Sequence, residues 1–276
     1  MTSLSLGRIV RLTLLSLGAL VFLAPYTFML STAGKAQSEI FSSSLSLIPE
    51  HWSYVENFSK ALSRVSMTTL LMNGVIVCAL IFIVQVVVAI PCAYAMAKLK
   101  FPAARLMMAL VMLGLLVPIH ATALPLYVAF DRLAVLNSYT ALVAPFSISV
   151  FAIFLFLQFF RAIPDDLIHA ARLDGMSESD IVTRVVVPNA WPAITAFAIF
   201  SVVAHWNDLF WPLVVVTNQD YATPPLGLLY FRAAEAGDDY GALMAATLMI
   251  TLPLVAAFLL AQKRFVEGIT MTGLKG

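Results

Sequence analysis

The residues able to do chemistry are few, and they sit inside long apolar stretches: Asp208 with His205 and Asn207 beside it, then Asn73, Gln85 and His120. Ionisable groups in such surroundings are costly and usually functional. They form no metal-ligand cluster, no nucleophile–base pair and no carboxylate pair within a stretch. No glycine-rich phosphate loop ending in Lys-Ser or Lys-Thr occurs. What they offer is hydrogen bonding and charge, presented either to a passing solute or to neighbouring backbone. Asp208 follows Pro192 by sixteen residues, about 24 Å along a helix. That places it near the end of its stretch, where a carboxylate reaches water at lower cost. Two readings stand for it: a polar group on a path, or a structural cap. Asn73, His120, Tyr127, Asn207 and Asp208 are the candidate path residues. Hydrogen bonds between helices are the alternative for Asn73, Gln85 and His120, and these average only about 0.6 kcal/mol. Trp206, Trp211, Tyr127 and Phe130 can stack on a ring-shaped solute, yet Trp and Tyr also gather at membrane interfaces for general reasons.

The elements that must hold these groups follow from composition. Of 276 residues, 61% are hydrophobic and 11% charged, against about half and about one quarter in soluble domains. Lipid is therefore the expected main solvent. The net charge of +1 gives no field that would draw nucleic acid. Spans of about 20 apolar residues are expected at 9–30, 68–97, 106–130, 141–160, 191–216 and 242–261. Backbone in lipid must pair within its segment, so all six are expected to be helices. The fold class is an all-α integral membrane protein in a single transmembrane domain, 1–276. The first stretch resembles a signal peptide, with Arg8 and Arg11 before it, but its apolar run exceeds the usual signal core, so an uncleaved helix is expected. Pro91, Pro118, Pro125 and Pro253 should bend their helices.

Lys and Arg set the orientation. The N-terminus, the 98–105 loop, the 161–190 loop and the C-terminus hold eleven of the sixteen: Arg8, Arg11, Lys98, Lys100, Arg105, Arg161, Arg172, Arg184, Lys263, Arg264 and Lys275. These segments, both termini included, are expected on the cytoplasmic side. Residues 31–67 and 217–241 are then external. In the first of these, Tyr54, Phe58, Leu62 and Val65 recur at helical spacing and predict a surface amphipathic helix. Cys78 and Cys92 are fourteen residues apart on one expected helix, about 21 Å, too far for a disulfide.

The stretch from Arg161 to Pro192 is too polar to span and too patterned for a passive link. Pro164 suits a helix start, and Asp165 and Asp166 fall where the helix dipole favours negative charge. Gly175 can take the left-handed conformation that ends a helix. Ser177 can cap a second helix, with Asp180 three residues on. Pro188 and Pro192 are expected to end it. Two short helices joined at a sharp glycine turn result, with Ala170 and Ala171 leaving one side slim enough for close approach by another protein.

This stretch resembles the EAA loop of ABC importer permeases: Glu-Ala-Ala, two residues, Asp-Gly-Ala, then a hydrophobic helix ending in Leu-Pro. His169-Ala170-Ala171, Asp174-Gly175-Met176 and Val187-Pro188 fill that pattern without gaps. Further similarity to the maltose-type (carbohydrate uptake) permeases lies in Asn73, Ala93-Tyr94-Ala95, Phe101-Pro102, Pro125-Leu126-Tyr127, Leu136-Asn137, Trp206-Asn207-Asp208 and Trp211-Pro212. The tail from Gln262 to Gly276 is similar too, and the closest pattern is the subunit lacking a large extra external domain. The resemblance implies a multi-pass subunit of a bacterial inner membrane, paired with a second permease subunit. An ATPase dimer would bind ATP and magnesium, and an extracytoplasmic solute-binding protein would deliver a sugar or sugar derivative; no cofactor is implied in this chain. It implies that His169, Ala170, Ala171, Asp174, Gly175 and Met176 form a coupling element gripped by the ATPase, with Gly273 and Lys275 of the tail near its interface. His169 departs from the family's Glu, Met176 from Ala and Val187 from Leu. The first departure exchanges a carboxylate for an imidazole, which cannot pair with a cation as Glu does. A secondary transporter working without an ATPase is the alternative; it would show inverted repeats, and none is visible.

Overall fold

The computed structural model describes residues 6–41, 46–114, 116–231 and 239–273, and the regular elements among them are helices. In chain order the α-helices are α1 (Leu6–Ala33), α2 (Gln37–Ile40), α3 (Tyr54–Arg64), α4 (Met67–Lys98), α5 (Ala104–Gly114), α6 (Ile119–Arg132), α7 (Tyr139–Val143) and α8 (Val150–Ala162). There follow α9 (Asp165–Leu173), α10 (Glu178–Ile181), α11 (Val187–Asn189), α12 (Trp191–Trp206), α13 (Phe210–Val215), α14 (Pro224–Leu228) and α15 (Tyr240–Gly273). Among the described residues three segments are long and apolar enough to cross a bilayer alone: Gly7–Ala33, Met67–Lys98 and Tyr240–Leu260. Three bent pairs bring the candidate spans to as many as six when each pair is counted as one span.

The bends lie where local chemistry breaks the hydrogen-bond ladder. The stretch 106–130 is not one helix: α5 ends at Gly114, and Pro118 forms the N-cap of α6 in extended conformation. The stretch 141–160 bends by 47° between Tyr139–Phe146 and Val150–Ala162. There Ser149 starts a fresh helix by accepting the Ala152 N–H at 3.1 Å. The third bent pair is Glu178–Asn189 with Trp191–Trp206, turned by 77° at Ala190, so part of the stretch read as too polar to span joins a candidate span. The stretch expected at 191–216 ends its helix at Trp206 and restarts at Phe210. By contrast α4 and α15 run through Pro91 and Pro253 without a break.

Two compact units are present: Met1–Met67 with Gly227–Leu252, and Thr68–Leu226 with Pro253–Gly276. In the first, α1 leaves Leu14, Val21 and Phe22 largely exposed, as expected of a lipid-bathed helix. α3 packs through Asn57, which is buried and donates from Nδ2 to the carbonyls of Ala33 and Lys35 at 2.9 Å each. Gly241 lies against that amide so closely that a Cβ would come within 2.6 Å of Nδ2. The buried face of α3 is therefore set by Asn57 and Ala61, while Leu62 is 55% exposed. Of the apolar stripe expected through Tyr54, Phe58, Leu62 and Val65, Tyr54 and Phe58 are half-buried and Val65 is buried, and Leu62 alone departs from it.

The second unit is built on α4, α8 and α12. Phe156, Leu157, Phe160, Ala93 and Phe197 are essentially buried and share one core. Polar side chains stitch it. Gln85 donates from Nε2 to Phe146 O at 3.0 Å and accepts the Ser201 hydroxyl at 2.8 Å. Trp211 is 1% exposed, and its Nε1–H reaches Ala141 O at 2.8 Å. Asn137, at φ 53°, accepts the Thr217 N–H at 2.7 Å.

Candidate functional site

The 161–190 stretch forms an elbow. Asp165 and Asp166 lie in the first turn of α9. Its end is closed by two crossed bonds, Met176 N–H to Ala171 O at 3.1 Å and Gly175 N–H to Arg172 O at 3.0 Å. With Gly175 at φ 81° this is a Schellman ending. Ser177 then caps α10 by accepting the Asp180 N–H at 3.2 Å. Pro188 does not end the helix it enters. A π-turn at Val182–Val186 absorbs its missing donor and the chain stays helical to Asn189. Asn189 Nδ2 also pairs with Val185 O at 2.7 Å.

The elbow is two-sided. Ile168, Ala171, Ile181 and Val186 are buried in the core they share with α4, α8 and α12. His169, Ala170, Asp174 and Gly175 are exposed, and Met176 is half-buried. Leu173 is 89% exposed beside the turn. Sequence reading passed over Leu173; the available signal was an apolar residue standing two positions from a glycine turn on a polar face.

Charges hold the two short helices together. Arg172 donates from Nε to Glu178 Oε1 at 2.8 Å and from Nη2 to Oε2 at 3.3 Å. The Arg172 hydrogen bond, then the Tyr94 hydroxyl, hold the Glu178 carboxyl below the usual carboxylate range. The Lys98 hydrogen bond lowers Asp165, and the Ser177 hydroxyl lowers Asp180. All three folded values are depressed. Their stabilisation is therefore present above the ordinary carboxylate range and is lost as pH falls through the lowered values. Because the groups are largely exposed, the effect is modest. Amide exchange over residues 165–181, corrected for intrinsic rate, is expected to rise as pH is taken below about 4.5. Protection that is flat down to pH 3 would contradict this.

The candidate path residues do not gather in one place. His120 and Asp208 line a cavity of about 230 Å³ with Ile119, Phe146, Ala204, His205, Phe210 and Trp211. The His120 ring packs on Phe210 with centroids 4.3 Å apart. Asp208 Oδ1 accepts the Trp211 N–H at 3.3 Å, satisfying a donor in the first turn of α13, whose N-cap is Leu209, and it also faces the cavity. Asn207 is exposed and bonds back to Val203 O at 2.7 Å. Tyr127 is exposed on α6. Asn73 is 2% exposed and fully engaged: Nδ2 donates to Asp220 O and Ala222 O at 2.8 and 2.9 Å, and Oδ1 accepts the Tyr139 hydroxyl at 2.6 Å. Gly273 ends α15, and Lys275 lies outside the described residues. Among the described residues no group of three or more His, Cys, Asp or Glu could hold a metal ion.

This architecture, broken apolar helices with a polar elbow rooted in their core, agrees with comparison to known proteins. Residues 85–270 match the family described as binding-protein-dependent transport system inner membrane component. Over 260 residues, 93% of this chain and 85% of the relative, it is 29% identical to the diacetylchitobiose uptake system permease protein of Streptomyces coelicolor. Over 183 residues, 66% of this chain and 65% of the relative, it is 34% identical to the arabinooligosaccharides transport system permease protein of Halalkalibacterium halodurans. Its fold matches a chain of a bacterial ABC transporter involved in the import of the acidic polysaccharide alginate. There the TM-score is 0.81 at 20% identity, covering 96% of this chain and 98% of the other. The chain belongs to the family of binding-protein-dependent transport system inner membrane components, and it is a multi-pass permease subunit of an ABC importer.

Proposed function

We propose that this subunit forms half of a translocation pathway for a sugar or sugar derivative and is driven by separate ATPase subunits that grip its elbow. The observation that carries the reading is the elbow itself. Its root is buried in the membrane core, while Ala170, Leu173 and Gly175 project free of packing. An exposed leucine on a rigid, twice-anchored turn is a surface for another protein to cover. His169, Ala170, Asp174, Gly175 and Met176 form the surface of the coupling element in this reading, with His169 as a polar contact in place of a glutamate; Ala171, expected on the slim outer side, is buried and roots the element instead. Six spans with both termini cytoplasmic place the elbow on the ATPase side, consistent with the distribution of Lys and Arg. Gly273 and Lys275 belong to the tail that approaches the same partner. Relatives named for diacetylchitobiose and arabinooligosaccharides support the solute class.

In this reading the cavity bearing His120 and Asp208 lies on the solute path. Phe146 and Phe210 around it supply flat apolar faces, and the carboxylate and imidazole supply the hydrogen bonds that hydroxyl groups need. Binding and release then follow from two states of the helices, with ATP supplying the energy difference.

The test is purification of the tagged chain from its own membranes in mild detergent, then reconstitution of whatever accompanies it. A second permease and an ATPase are expected to co-purify, and labelled oligosaccharide uptake is expected to require ATP and an external binding protein. Uptake by this chain alone, driven by a proton gradient, would overturn the reading.

A further inference from the structure

Two polar ties join the end of α4 to the elbow, and nothing in the coupling role above makes use of them. Lys98 is the last residue of α4, and its side chain is only 4% exposed. Its Nζ donates to Ile163 O and to Asp165 Oδ1, both at 2.6 Å. A lysine is rarely buried unless paired, and here the ammonium is spent on the entrance to α9. One helical turn earlier on the same face, Tyr94 is 3% exposed and its hydroxyl donates to Glu178 Oε2 at 2.5 Å. Glu178 is the first residue of α10. Arg172, near the end of α9, closes the set by pairing with the same carboxylate across the Gly175 turn.

Each short helix of the elbow is thus held at its start by one residue of α4, and each is held to the other by Arg172. The apolar contacts beneath them are non-directional and would allow sliding. Two hydrogen-bonded points a turn apart resist both sliding and rotation. Farther along the same helix, Gln85 bonds Ser201 and Phe146, and Asn73 bonds Asp220, Ala222 and Tyr139. Whatever moves the elbow therefore has a polar route along α4.

We propose that Tyr94 and Lys98 are positioning residues for energy coupling: they latch the elbow to α4, so that a displacement imposed on the elbow moves that helix with it rather than travelling only through the covalent links at 162–164 and 190. This rests on the coupling reading above. The experiment uses the complete transporter in proteoliposomes, with ATP hydrolysis and solute uptake measured together for wild type, Tyr94→Phe, Lys98→Met, the double variant and Lys98→Arg. Spin labels at Lys100 and at Ser179, exposed on α10 and outside the coupling surface, report the distance between the end of α4 and the elbow. The double variant is expected to assemble and hydrolyse ATP while uptake per ATP falls by about fivefold or more, the low end of common allosteric coupling. Lys98→Arg, which keeps the cation, is expected to stay near wild type. The distance is expected to be narrow with and without ATP in wild type and broad in the double variant. Should the double variant fail to assemble, Tyr94→Phe, which keeps its ring in the core, decides the matter. Unchanged uptake per ATP in that variant overturns the latch, as does an unchanged double variant. A wild-type complex lacking any ATPase overturns the coupling reading and the latch together, whereas a coupled wild type beside an unaffected double variant overturns the latch alone.

Discussion

Gly175→Val is expected to leave the protein folded in the membrane and to reduce ATP-driven uptake by about tenfold or more, a mid-range coupling loss. The reason is conformational rather than steric. Gly175 stands at φ 81°, and no atom beyond its two chain neighbours lies within 4 Å of where a Cβ would sit. An L-residue in the left-handed region costs about 1–2 kcal/mol, and a β-branched one is a genuine outlier there. The cheaper solution is for the turn to open. It would then lose the bonds from Met176 to Ala171 and from Gly175 to Arg172, and the exposed tip carrying Ala170 and Leu173 would no longer be presented at one angle. A short series separates this cause from others. Asparagine tolerates the left-handed region and is expected to stay near wild type, with alanine intermediate and valine worst. Uptake assays on the reconstituted complex, beside expression level in membranes, provide the measurement. Wild-type uptake in the valine variant would remove the elbow's rigidity from the mechanism.

Asn73→Leu is expected to cost about 3 kcal/mol or more of stability, because each buried polar group left without a partner costs about 1–3 kcal/mol. Leucine matches asparagine in outline but strands the carbonyls of Asp220 and Ala222 and the Tyr139 hydroxyl. Relief by movement is restricted at this joint, since at the next residue, Gly74, a Cβ would stand 2.7 Å from Pro224 Cγ. The thermal midpoint of the detergent-solubilised protein is expected to fall by several degrees, while the apparent KM for solute in the surviving fraction stays put. Tyr139→Phe, which strands only one acceptor, is expected to cost about 1 kcal/mol. A stable Asn73→Leu protein with altered solute preference would return Asn73 to the path.

Much of this was legible in the linear chain, and the reasons differ by element. The long helices follow from apolar runs that exceed the bilayer thickness, since backbone in lipid has no partner but itself. The elbow is equally local: the aspartates that open α9, the left-handed glycine and the serine cap each act within four residues. Even so, Pro188 read as a stop and instead lies in a helix that continues to Asn189 behind a π-turn at Val182–Val186, because a proline's missing donor can be absorbed by one extra residue when the packing around it holds.

What the sequence could not disclose is where polar side chains spend their hydrogen bonds. Asn73, Asn57 and Lys98 carry the same donors whether they face a solute, water or a distant carbonyl. Their partners lie 147, 24 and 65 residues away. Local periodicity has no term for such distances. The sequence by itself determined the membrane solvent, the helical elements and the turn that makes the elbow, because each is decided by neighbours along the chain. Only the tertiary structure decided which polar groups are joints, which line a cavity and which α4 residues hold the elbow, because desolvation allows a buried donor to persist only where the fold supplies its acceptor.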